Sequence, residues 1–259
     1  MVIRRPGPST PLEEFRPGSS LINEATTSVL SGSGLITSVD SGEMVEAILQ
    51  IASRVHSNVD YLTELDSQLG DGDHGISLDR GFAEVRRVLL GFSGSDAGAV
   101  LELVGESLVS SMGGASGPLI GTAFSDAGKA VRGKSRVGTA EVAAMFEAAE
   151  SAVANLGGAR VGDKTMLDSI HPAAMAAKRA QEEGEKDLAK AFESIVAAAN
   201  AGLESTKTLV AKKGRASYLG ERGIGTYDVG AASICMILQS ALDYLRSLDN
   251  GPGQGPRSS

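Results

Sequence analysis

Asp66, Asp71, Asp73 and His74 fall within nine residues, with Gly70, Gly72 and Gly75 among them. Carboxylates at that density repel one another, and a fold keeps them together where positive charge sits among them. Their oxygens are hard ligands, suited to Mg²⁺ or Ca²⁺ rather than zinc. The glycines let the backbone turn sharply and approach a ligand closely. Mg²⁺ takes one or two protein carboxylates and completes its shell with water and substrate phosphates. The segment therefore reads as a metal–nucleotide site with Asp66, Asp71 and Asp73 as metal ligands. A solvated Asp-Gly turn would account for one such pair but not for three aspartates and a histidine. An EF-hand started at Asp71 places Phe82 at the twelfth position, where that loop needs a bidentate Glu.

Three further stretches could serve a phosphate. Gly113-Gly114-Ala115-Ser116-Gly117, just before Pro118, offers backbone N–H groups at a helix start and the Ser116 hydroxyl. The same small residues would equally suit close helix packing. Gly157 and Gly162 have the separation of a Walker A loop, but Asp163 stands where Lys is required and the preceding pattern is helical, which excludes a P-loop. Arg215 and Arg222 could each pair with a phosphate. Asp228 opens the last helical pattern, where capping explains it economically. His171, beside Pro172, carries no evident chemistry, and no Ser–His–Asp or Cys–His arrangement stands out.

These residues need elements to hold them, and the pattern between the termini is helical. Val45, Ile48, Ala52, Val55, Val59 and Leu62 form one apolar stripe, predicting a helix that delivers Asp66 at its C-terminal end. Further helices are predicted over 77–90, 96–112, 118–132, 139–156, 165–183 and 185–211, with a last one opening at Asp228. Thr139 is the expected cap of the fifth, with Glu141 in its first turn. That makes eight helices and no convincing strand: an all-α, up-and-down bundle or closed barrel. Every second connection of such an array lies at the same end. The connections after the first, third, fifth and seventh helices are the acidic loop, 113–118, 157–163 and 212–227, so the unusual residues gather at one mouth.

Composition agrees with this class. The chain of 259 residues has no Trp, few Phe and Tyr, and a net charge of −8 without a basic cluster, which argues against nucleic acid as a partner. Cys235 is the only cysteine and sits in an apolar run, as a small buried hydrophobe would. No stretch is long and apolar enough for a membrane span, and no apolar segment follows Arg4 and Arg5 as a secretory signal requires, so a cytoplasmic protein is expected. Residues 1–40 and 249–259, rich in Pro, Gly, Ser and Thr, read as a flexible extension and tail around a helical unit at 41–248.

Four motifs in order resemble the nucleotide-binding L subunit or domain of dihydroxyacetone kinases. They are Leu65-Asp66 with Gly70-Asp71-Gly72-Asp73-His74-Gly75; Gly113 to Leu119 with Gly121-Thr122; Gly162-Asp163-Lys164-Thr165-Met166-Leu167-Asp168 with Pro172-Ala173; and Gly214-Arg215 through Glu221-Arg222. The resemblance implies a closed barrel of eight antiparallel helices with ADP or ATP at one end, bound through two Mg²⁺ ions. It implies Asp66, Asp71 and Asp73 as Mg²⁺ ligands. It also implies nucleotide contacts at His74, Gly75, Ser77, Gly114, Ser116, Gly157, Met166, Arg215 and Asp228. The ketose, dihydroxyacetone or erythrulose, would be held by a separate K-type subunit, so a hetero-complex or homo-oligomer is expected. The family uses either ATP as a consumed substrate or a bound ADP recharged by a phosphohistidine carrier protein of the sugar phosphotransferase system. The run Gly220 to Gly225 resembles the carrier-driven subunits, while the linker-like residues 1–40 resemble fused, ATP-using enzymes. Val229 departs from the proline that often follows the aspartate. Two related readings are the ATP-binding domain of a fatty-acid-kinase-like system and a nucleotide-dependent regulator.

Overall fold

The computed structural model describes residues 35–249. The expected flexible extension and tail fall outside these residues, except for 35–40 and Asp249. Residues 36–40 belong to the folded unit: the Ile36 carbonyl accepts from Leu188 N at 2.7 Å, and strand β1 (Val39–Asp40) pairs antiparallel with β2 (Arg136–Val137). Asp40 then caps helix α1 (Ser41–Ser57). Its Oδ1 accepts from the N–H groups of Gly42 and Glu43 at 2.9 and 3.0 Å, and the Glu43 carboxylate accepts from Asp40 N at 2.8 Å. This reciprocal arrangement satisfies N–H groups that the helix itself cannot.

The single helix expected to end at Asp66 is interrupted. At Asn58 the chain turns and restarts as α2 (Val59–Ser67). Asn58 Nδ2 donates to the Arg54 carbonyl at 2.8 Å, and its backbone N–H bonds Val55 O at 3.0 Å. The side chain thus takes the carbonyl that a continuous helix reserves for the Asn58 backbone. The remaining helices are α3 (His74–Leu89), α4 (Ala97–Ser111), α5 (Ser116–Ala130), α6 (Thr139–Gly157), α7 (Leu167–Glu182), α8 (Leu188–Thr206) and α9 (Val229–Asp249), with 3-10 turns at Arg215–Gly223. The described residues therefore form nine α-helices and one short ribbon, where eight helices and no strand were expected.

Several starts and one cap also differ from expectation. Helix α3 begins at His74, and α5 begins at Ser116 with Pro118 in its first turn, where a missing N–H costs nothing. The residue before α6 is Gly138 rather than Thr139, whose hydroxyl donates to Glu185 O at 2.8 Å.

The helices close into a ring. Helix α1 packs on α3, each helix from α3 to α9 packs on the next, and α9 packs back on α1. Helix α2 lies against α3 and α9, completing the first wall. Short connections make neighbours antiparallel. Leu78, Phe82, Leu108, Ile120, Ile195, Leu203 and Met236 are fully buried between them. Pro172 lies inside α7 and has no N–H for the Asp168 carbonyl. Gly202 of α8 approaches that oxygen so closely that a Cβ there would lie 2.0 Å from it. No helix among the described residues is long and apolar enough to cross a membrane.

Candidate functional site

Two cavities lie in the ring. One is lined almost wholly by carbon, including Met44, Ile48, Phe124, Phe146 and Phe192, and offers a charged ligand nothing. The other is walled by Leu69, Gly70, Asp71 and Asp73, by residues 113–116, by Gly157, Ala159 and residues 164–166, and by residues 213–216 and 228–230, among others. These are the connections after α2, α4, α6 and α8, as the ordering of the loops required.

Asp66 sits in the last turn of α2 and is buried, 8% exposed. Its Oδ2 accepts from the backbone N–H groups of Asp73 and His74 at 3.0 and 3.2 Å. One carboxylate therefore closes the glycine loop and caps the start of α3, whose formal N-cap, Asp73, makes no side-chain cap bond. Gly72 takes φ +73°, a left-handed turn that favours glycine. The outcome is a triad: one carboxylate oxygen each from Asp66, Asp71 and Asp73, all within 4.8 Å of one another, with Asp71 and Asp73 exposed to the cavity. Three hard oxygens this close, two of them open to the cavity, fit a divalent cation such as Mg²⁺. Asp71 also pairs with Arg215 across the cavity mouth.

His74 is buried at 5% exposure. Burial pushes its pKa below the usual histidine value, with the Asp66 charge opposing. Nε2 lies 2.7 Å from Ser233 Oγ on α9, and Nδ1 lies 3.2 Å from Ser116 Oγ at the start of α5. Ser233 Oγ donates to Val229 O at 2.9 Å, so it accepts from the ring. The network thus assigns the proton to Nε2 and leaves Nδ1 to accept from Ser116. Ser77 likewise commits its hydroxyl, accepting from Gly113 N at 2.8 Å and lying 3.2 Å from Gly113 O. Gly114 has φ +70° with open space on its Cβ side.

Of the residues expected at the site, Asp66, Asp71, Asp73, His74, Ser77, Gly114, Ser116, Gly157, Met166, Arg215 and Asp228 all line this cavity. Gly75 does not: a Cβ there would meet Val59 O at 2.3 Å and Thr63 N at 2.8 Å, so it serves the packing of α3 on α2. Arg222 is also absent from the wall and bonds Leu219 O. Asp228 fills both roles considered for it, lining the cavity and accepting from Ala231 N at 2.8 Å as the cap of α9. Burial raises its pKa to about 7, although the Ala231 N–H pulls the other way.

Sequence reasoning missed the residues that hold the two long loops. Asp168 accepts from Gly162 N at 2.5 Å and Thr165 N at 2.8 Å. Asp163 accepts from Lys212 Nζ at 3.0 Å. Lys164, also in the cavity wall, is buried against the 206–226 backbone. All three lie in the third motif of the resemblance, which was the available signal.

Residues 68–243 match the family model described as the DAK2 domain. The chain is 40% identical over 180 residues to the PEP-dependent dihydroxyacetone kinase, ADP-binding subunit DhaL of Escherichia coli (strain K12), covering 70% of this chain and 85% of that protein. It is 39% identical over 210 residues to the corresponding subunit of kinase 2 from Listeria innocua, covering 80% and 96%. The L-erythrulose kinase of Pectobacterium atrosepticum is 32% identical over 195 residues, 74% of this chain but 33% of that protein. Among solved structures, the dihydroxyacetone kinase from C. freundii in complex with AMP-PNP and Mg²⁺ superposes with a TM-score of 0.59 at 22% identity. That match covers 85% of this chain and 37% of that one, and it shows a shared helical fold.

Proposed function

This chain belongs to the DAK2-domain family of dihydroxyacetone kinase L subunits, and from that membership we propose that it is the nucleotide-binding, phosphoryl-donating subunit of a dihydroxyacetone kinase. The observation that carries the reading is the placement of three carboxylate oxygens within 4.8 Å in the same cavity as the glycine-rich start of α5. Asp66, Asp71 and Asp73 would hold Mg²⁺, two ions by the family resemblance. Bound there, the metal neutralises the charge on the transferring phosphoryl group. Residues 114–116 present N–H groups and the positive end of α5 to phosphate oxygens. Arg215, paired with Asp71, would exchange that carboxylate for a phosphate. Buried Asp66 and the Ser116–His74–Ser233 chain fix this arrangement before a ligand arrives, which suits a reaction that is mostly positioning and charge neutralisation.

No residue of the cavity is an evident ketose ligand. The chain spans nearly the whole of the relatives named as ADP-binding subunits but about a third of the single-chain erythrulose kinase. By the family resemblance, the ketose would be held by a K-type subunit. The relatives' names, "PEP-dependent" and "ADP-binding", favour ADP as a resident coenzyme recharged by a phosphohistidine carrier over consumed ATP. The test is to mix the purified chain with a dihydroxyacetone-binding subunit and follow ketose phosphate, with ATP or phosphorylated carrier as donor. The expected result is turnover with the carrier and none by this chain alone. Turnover without a partner would refute the division of labour.

A further inference from the structure

We propose that Lys164 is the positioning residue that fixes the loop carrying Arg215, clasping the connection after α6 to the connection before α9. Its side chain is 1% exposed. Nζ donates to the carbonyls of Thr206, Gly223 and Thr226 at 2.8, 2.8 and 2.7 Å. An ammonium has three protons, and these three oxygens take all of them. Thr206 ends α8, Gly223 ends the 3-10 turns and Thr226 lies just before α9, so one side chain gathers both ends of the loop at a single point.

Apolar burial does little to hold the loop. Within Arg215–Gly223 only Gly223 is buried, and Tyr218 is 85% exposed. With almost no apolar surface to bury, its position depends on polar ties. Lys212 supplies another, with its N–H on Asp163 O at 3.0 Å and its Nζ on Asp163 Oδ1 at 3.0 Å, and Gly225 N donates to Lys207 O at 2.7 Å near the gathered ends. The base of the clasp is itself rigid, because Asp168 takes the N–H groups of Gly162 and Thr165 on either side of it. Lys164 holds φ +59°, a left-handed backbone unfavourable for a residue with a Cβ and sustained only where surrounding bonds impose it. Burial works against the ammonium, and the nearby Asp228 charge works for it. Methionine would pack as well, so the lysine is explained by the carbonyls it bridges. Arg215 lies eight residues before Gly223 in the gathered loop, which holds it at the mouth beside Asp71.

The inference rests on Arg215 serving the bound phosphates, and the test separates the two. Lys164→Met, Arg215→Ala and the double variant are compared by tryptic cleavage at Arg222 without ligand, and by calorimetric affinity for Mg–ADP. With Lys164→Met, cleavage is expected to be at least tenfold faster than in the parent at unchanged helicity. Its Mg–ADP affinity should fall toward that of Arg215→Ala, and the double variant should bind no worse than Arg215→Ala. Parental protection of Arg222, or losses that multiply in the double variant, would overturn the proposal. Should Lys164→Met not fold, Lys164→Gln, whose amide has two protons for three carbonyls, takes its place. Faster cleavage at Arg215 and Arg222 supports the clasp, and parental protection overturns it. An Arg215→Ala variant with undiminished Mg–ADP affinity would refute the phosphate role of Arg215, while the cleavage readout still decides the clasp.

Discussion

Replacing Asp73 by Asn should stabilise the ligand-free protein and remove most of its response to Mg–ADP. Asp73 faces Asp66 and Asp71 with carboxylate oxygens within 4.8 Å, and unlike Asp71 it has no ion pair among the described residues. Two unit charges at that separation repel by about 0.9 kcal/mol in water, so losing one aspartate relieves about 2 kcal/mol over two pairs. Loss of a negative charge at the start of α3 costs about 0.3–1 kcal/mol, and no cap bond is lost because the Asp73 side chain makes none. The net gain is about 1 kcal/mol at low ionic strength, or about 2–4 °C in Tm for a domain of this size. At 0.15 M salt, where the Debye length is about 8 Å, the gain should shrink by about half. Ligand at a hundred times its Kd stabilises by about 2.7 kcal/mol, so the parent should shift by about 5–10 °C with Mg–ADP and the variant by a small fraction of that. Differential scanning calorimetry of both proteins, with and without Mg–ADP, at two salt concentrations, measures all of this. A variant that melts below the parent when empty yet keeps the full Mg–ADP shift would refute the reasoning.

Gly75→Ala should cost about 2–3 kcal/mol in urea unfolding, because the new methyl would meet the α2 backbone at 2.3 Å; an unchanged midpoint would contradict that packing. Ser233→Ala leaves the buried Nε2–H of His74 without its acceptor and should cost about 1–3 kcal/mol, with the ¹⁵N tautomer signature of His74 altered; parental stability and signature would count against the assigned network. Asp228, at about 7 in the folded state against an ordinary 3.8, keeps its proton after the unfolded chain has released it. Stability should therefore fall as pH rises from about 4 to about 7, and Asp228→Asn should flatten that slope. Urea midpoints across this range that run parallel for the two proteins would exclude the shift.

The 3.6-residue apolar stripes were legible from the sequence, and with them the fold class and the end of the array at which the loops meet. The break at Asn58 was not, because it depends on a side-chain amide taking one backbone carbonyl while the apolar stripe runs through unbroken. Residues 36–40 looked like linker because their partners, Leu188 N and the strand at Arg136–Val137, lie far along the chain. The acidic triad stood out through residue types alone, whereas the second task of Asp66, closing its loop through two N–H groups, needed coordinates. Lys164 was hidden for a related reason: a lysine in a glycine-rich loop reads as solvated, and its three partners are backbone oxygens that no side-chain pattern reveals.

The account depends most on carboxylates and a nucleotide being joined by a divalent ion. Calorimetric titration of the ligand-free chain with ADP, in Mg²⁺ and again in EDTA, measures that link. Tight binding in Mg²⁺ that weakens at least a hundredfold in EDTA is the expected result. Equal affinity in both, or no binding in either, would contradict the assignment of Asp66, Asp71 and Asp73 as a metal–nucleotide site.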